Sequence, residues 1–156
     1  QRQMCIRDSY IGYAYTNGLT NGTSATTYAP NDTLTWAAAL KLLLVSHGDL
    51  KAADATGADW SKNAIAKAAE LGLVAADLDG AKAISRLEFC QVAAKLNKLA
   101  ESKTESKFTD CTDGYVMALV DAKVISGMPE TTFEPAASLT RAQIAKILYQ
   151  LTLIEK

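Results

Sequence analysis

The sequence is short of the residues that most polar chemistry requires. Its 156 residues hold one histidine, His47, and three cysteines. With no close Cys/His pair, neither a structural zinc site nor any other metal site is expected. No G-x-S-x-G turn, phosphate-binding loop or paired-histidine motif occurs, so no catalytic class finds support and no cofactor is implied. His47, just before Gly48 near a helix end, reads as a partner of the helix C-terminal dipole rather than as a base. Charge of one sign is also missing. Lysine and arginine number 16 against 17 acidic residues, a net charge of −1, so no global field draws the chain to nucleic acid or an anionic membrane. The longest apolar stretch, near 37–45, carries Lys41 and is too short to span a bilayer.

What is present is ordinary in amount. The chain is 49 % apolar and 21 % charged, enough for one domain with a real core. No apolar segment of a signal peptide is visible at the start. The expectation is therefore a cytosolic chain or a fragment of a longer exported one. The stretch MCIRDS, residues 4–9, resembles the translation of one reading frame of a transposase sequencing adapter. Residues 1–9 are accordingly set aside as foreign to the fold. Cys5 drops out with them, leaving Cys90 and Cys111. Two free thiols are expected there, with a disulfide between them left open, since two cysteines make no framework.

Internal repetition is the strongest signal. The segment SLTRAQIAKIL, 138–148, starts a helix by the capping-box rule, with Thr140 as the cap and Gln143 three residues on. The apolar stripe that follows is Ile144, Ile147, Leu148, Leu151 and Ile154. An offset of 55 carries Arg141 onto Arg86 and the stripe onto Phe89, Val92, Ala93, Leu96 and Leu99, with Ser85 as cap and Glu88 in the place of Gln143. A further offset of 50 gives Ala39, Leu42, Leu43 and Ser46, with Thr35 as cap and Trp36 in the arginine's place. Each unit also has a first helix, at 10–18, 60–72 and 114–125, and Gly18 and Gly72 suit left-handed C-caps. Between the two helices of units one and three lies a loop with glycine (Gly22, Gly127), an aromatic residue (Tyr28, Phe133) and proline (Pro30, Pro135). Glycine supplies positive φ, the aromatic plugs the loop onto the helices, and proline forbids helix until the next cap. Unit two has a shorter loop without the aromatic and proline. The expected fold is mainly α: three helix-loop-helix repeats that bury a shared core because none can bury its own. Their ranges are 10–50, 51–100 and 101–156, with the polar stretch 98–108 a linker.

An arginine on the first turn of a helix faces the positive end of the dipole, at a cost of a few tenths of a kcal/mol. A helix start is also an anion site, with unpaired backbone N–H groups, and a guanidinium grips a carboxylate through two parallel hydrogen bonds. Arg86 and Arg141 are thus placed to receive an anion.

The stretches YIGYAYTNGLTNGTSATTYAPNDTLT, SRLE and FTD…VISGMPETTFEPAASLTRAQIAKIL together resemble the S-layer homology module, over about residues 10–154. The resemblance implies three modules in a pseudo-threefold prism, the second helices forming a central bundle. It implies a non-catalytic anchor, exported with other domains of its chain to the bacterial cell surface. There it would bind a secondary cell-wall polysaccharide, often one bearing pyruvate ketals. It also implies grooves completed by an acid and an aromatic near the start of a module: Asp110 and Tyr115 in unit three, and more loosely Asp54 and Trp60 in unit two. Gly127 belongs to this set as a point of close backbone approach, and Gln143 and Glu88 as neighbours of the arginines. Trp36 leaves unit one without a clamp, so at most two working grooves are expected.

Two rival readings remain. In DLDGAKAISRLE, 77–88, Asp77, Asp79, Ile84 and Glu88 fall at calcium-loop positions, but Ala81 and Lys82 stand where a ligand and a glycine are needed. A structural or protein-binding helical repeat, in which the caps only cap, is the other.

Overall fold

The computed structural model describes residues 33–51, 53–55, 57–125 and 132–154. The expected first helix at 10–18 and Gly18, Gly22, Tyr28, Pro30 and Gly127 lie outside these residues.

Five helices are described, three of them starting at the expected caps Thr35, Ser85 and Thr140. α1 (Trp36–His47) follows Thr35, α2 (Trp60–Glu70) follows Asp59, α3 (Arg86–Leu96) follows Ser85, α4 (Gly114–Asp121) follows Asp113 and α5 (Arg141–Thr152) follows Thr140. Ser85 with Glu88 and Thr140 with Gln143 form complete capping boxes. The architecture is mainly helical, and among the described residues the only β pairing is in isolated bridges.

Those bridges organise the molecule. The tripeptides before α1, α3 and α5 (TLT 33–35, AIS 83–85 and SLT 138–140) pair in a closed antiparallel ring: Thr33 with Thr140, Thr35 with Ala83, Ser85 with Ser138. Leu34 N–H donates to the Leu139 carbonyl at 3.2 Å, and Ile84 N–H to the Leu34 carbonyl at 3.2 Å. The middle residues Leu34, Ile84 and Leu139 are all buried. Alternation does this: with small or polar residues on either side facing out, the large apolar side chain in the middle of each tripeptide points inward. The ring thus brings the starts of α1, α3 and α5 to one end of the molecule.

Below the ring, Leu40, Leu43, Phe89, Ala93, Ile144 and Leu148 join one core. α1 buries Ala37, Ala39, Leu40, Leu42, Leu43 and Leu44, most of its circumference, as an inner helix should. α2 buries only Ala64 and Ala68 and forms an outer layer. α1 packs against α2 and α5, and α3 against α4. A unit's second helix therefore packs against the first helix of the following unit.

Two details depart from expectation. The helix expected over 114–125 ends at Asp121, because Lys123 turns left-handed (φ 62°). Its N–H reaches Val120 and that of Val124 reaches Leu119, closing the helix as Gly72 (φ 73°) closes α2. The polar stretch 98–108 is also no free linker. Ser102 N–H donates to the Gly114 carbonyl at 2.9 Å, and the Ser102 and Thr104 hydroxyls both donate to Asp121, which fastens it along α4.

Candidate functional site

The tips of α1 and α3 are closed, contrary to the open anion site expected at Arg86. At α3, Arg86 N–H donates to the Ala137 carbonyl (2.8 Å), Leu87 N–H to Pro135 (3.1 Å), and Glu88 N–H to the Ser85 hydroxyl (3.2 Å). At α1, Trp36 and Ala37 donate to the Lys82 and Gly80 carbonyls, and Ala38 to the Thr35 hydroxyl. The loop of the following unit delivers these carbonyls. Local sequence gives the cap, but the remaining donors are met from across the fold. Glu88 and Gln143 are likewise engaged: their side-chain oxygens accept the Ser85 and Thr140 N–H groups at 3.1 and 2.9 Å.

What stays open at the tip of α3 is the guanidinium of Arg86. Its carbon lies 5.8 Å from the centroid of the Phe133 ring, a cation–π distance. Its Nε is buried and has no hydrogen-bond partner, and no described residue forms an ion pair with it. Phe133 is itself buried and packs on Phe108, ring centroids 5.4 Å apart. Beside it lies Asp110, whose carboxylate accepts the N–H groups of Phe133 (2.8 Å) and Glu134 (2.9 Å). Those two hydrogen bonds hold the Asp110 carboxyl below the usual carboxylate range. Phe133 is thus met by both charges, its ring by the Arg86 cation and its backbone by the Asp110 anion.

Tyr115 is not at this tip. It occupies the first turn of α4, where its N–H donates to Asp113 and Lys95 Nζ stands 5.3 Å from its ring. Lys95 is nine residues beyond Arg86, or about 13 Å along the axis. Tyr115 therefore flanks the side of α3, next to the Gln91–Asp113 hydrogen bond (2.8 Å). Trp60 stands against α1, the helix without an arginine, and Asp54 lies beside the first turn of α2. Lys41 Nζ lies 5.3 Å from the Trp60 ring, while Asp54 is exposed and its carbonyl accepts from Asn63. Burial lowers the pKa of Lys41, and the charge of Arg141 lowers it further, which puts Arg141 on the α1 side of the bundle.

Of the residues singled out in the sequence, Arg86 and Asp110 both contact Phe133, Trp60 meets a lysine instead, and Tyr115 stands apart. Three participants escaped notice. Phe133 was read only as a plug. Lys41 and Gln91 both lie five residues after a tip residue, Trp36 and Arg86, and that shared register was the available signal.

The rival calcium loop is engaged elsewhere. Glu88 belongs to a capping box, the Gly80 and Lys82 carbonyls cap α1, and Asp79 accepts the Ala81 N–H. Among the described residues no cluster of three or more potential metal ligands exists. His47 ends α1 and hydrogen-bonds Asp49, as a residue at a helix C-terminus can. A cleft of about 130 Å³ at that far end is lined by Leu43, Ser46, His47, Asn97, Leu151 and Thr152, well away from Arg86. No described helix is long and apolar enough to cross a membrane.

Among protein families, the S-layer homology domain matches at residues 7–40 and 109–145. The middle unit falls outside both segments, although its AIS tripeptide holds the same place in the ring as the other two. No curated protein matches the chain.

Proposed function

From the premise that this chain carries S-layer homology sequence, a family whose domains are generally non-catalytic cell-wall anchors, we propose that it attaches an exported protein to the cell surface by binding an anionic secondary cell-wall polysaccharide. The groove between α3 and the 132–134 loop receives an acidic sugar, such as one bearing a pyruvate ketal. The observation that carries this reading is the buried, unpartnered Nε of Arg86 against Phe133. A buried guanidinium N–H without an acceptor is costly to leave unmet, and a carboxylate takes two such donors side by side. With the backbone donors of the tip already paired, the guanidinium does the gripping and the helix end serves only to hold it in place. Asp110 lies across the groove, where its outer lone pairs accept sugar hydroxyls. Arg141, at the same first-turn position of α5, is a second candidate contact for the polymer in this proposal.

Co-sedimentation with purified sacculi tests it, before and after acid stripping of the attached polymer. Binding to intact sacculi, lost on stripping and reduced at least tenfold in Arg86→Ala, is the expected result. A tenfold loss corresponds to about 1.4 kcal/mol, within the range for one charged hydrogen-bond pair. Equal binding to stripped sacculi overturns the polysaccharide and points to a protein partner. Undiminished binding by a folded Arg86→Ala variant removes the arginine from the site.

A further inference from the structure

Two cysteines stand behind the groove, and the wall-binding reading uses neither. Cys90 on α3 is 0 % exposed, Cys111 ahead of α4 is 8 % exposed, and both are free. Contacts on either side of each residue fix their relation. One turn before Cys90, Arg86 lies over Phe133, whose N–H is held by Asp110, the neighbour of Cys111. One residue after Cys90, Gln91 donates to Asp113, two residues after Cys111. The 110–113 segment is thus tied to α3 both above and beside Cys90, with both thiols in the same apolar cluster. Electrostatics agrees. Burial pushes the Cys90 thiol up to about 12, Arg86 pulls it down, and Cys111 is close enough to add to the rise.

We infer that Cys90 and Cys111 join in an intramolecular disulfide under oxidising conditions, clipping the helix that bears Arg86 to the segment that bears Asp110. The oxidant is a small-molecule disulfide. Cys111, the less enclosed of the two, attacks first as its thiolate, forming a mixed disulfide and releasing one small thiol. The Cys90 thiolate then attacks the Cys111 sulfur and expels the second. Two protein thiols and one small disulfide become one protein disulfide and two small thiols, which carry the two protons. Burial also raises the Cys111 thiol, so the exchange is slow at neutral pH and faster in mild alkali. The clip closes a short loop, constrains the unfolded chain and fixes the width of the groove whether or not a glycan occupies it.

The test uses the full chain with Cys5→Ser, held at mildly alkaline pH with oxidised glutathione or with dithiothreitol. After oxidation we expect both thiols to be lost, an intact mass lower by two hydrogens, and a cross-linked peptide joining residues 90 and 111. Thermal unfolding should move up by several degrees, and the shift should disappear in Cys111→Ser. Persistent free thiols, glutathione adducts on both residues, covalent dimers, or a cross-linked form that melts lower would each overturn the inference. The mass readout needs no core variant, so poor folding of a cysteine mutant does not weaken the test.

Discussion

If the ring of tripeptides closes the molecule, cutting one of its inner side chains must destabilise every unit at once. Leu139→Ala is the sharpest form of that perturbation. Leu139 is fully buried, its carbonyl accepts the Leu34 N–H, and its neighbours Ser138 and Thr140 pair with the other two tripeptides. Truncating a leucine so enclosed costs about 2–5 kcal/mol, the lost transfer energy plus the cavity. At ~3 kcal/mol, a chain of this length loses roughly 6–12 °C in Tm, and with ~5–15 kcal/mol of total stability it stays folded at room temperature. The assay exploits an accident of composition. The only tryptophans are Trp36 and Trp60, both in the first two units and far in sequence from residue 139. Urea unfolding followed by tryptophan fluorescence and by far-UV circular dichroism should shift to lower urea by the same amount. Leu153→Ala, at an exposed position (61 %), should shift neither by more than about 0.5 kcal/mol. A fluorescence transition left in place while the dichroism moves would mean that the units unfold independently, and the closed ring would be refuted.

Three other perturbations test separate parts of the argument. Lys123→Gly relieves a left-handed residue that a side chain resists, and should raise stability by about 1 kcal/mol in a thermal melt. Gly80→Ala should destabilise by about 1–3 kcal/mol, because the new methyl would meet Ile65 Cδ1 at 2.7 Å and Ala37 Cβ at 3.0 Å. That loss would be visible as a lower urea midpoint. Asp110→Asn probes the loop through pH. The Asp110 carboxyl is depressed by the Phe133 and Glu134 N–H groups, so its contribution is complete above the ordinary carboxylate range near pH 4 and disappears as pH falls through the depressed value. Wild type should melt above the variant at neutral pH and converge with it in acid, and a gap that persists at the lowest pH contradicts the assignment.

Much of this protein could be read along the chain because the information is local. Thr35, Ser85 and Thr140 mark helix starts through hydrogen bonds that span three residues. The 55- and 50-residue offsets align the stripes that become buried, and Gly72 takes the left-handed turn expected of it. Where a lysine adopts that same turn, at Lys123, composition held no sign of it, since nothing but the surrounding packing forces the conformation.

What the chain by itself determined was the repeat, the caps, the inner faces and the presence of an arginine on the first turn of two helices. Only the tertiary structure decided what those arginines face. The carbonyls that quiet the tip of α3 come from Pro135 and Ala137, about fifty residues downstream, and the ring of Phe133, its backbone held by Asp110, meets Arg86 from the same segment. Periodicity records which side of a helix is buried. It carries no record of which neighbour does the burying, because that choice is made when helices distant in sequence close around one apolar centre.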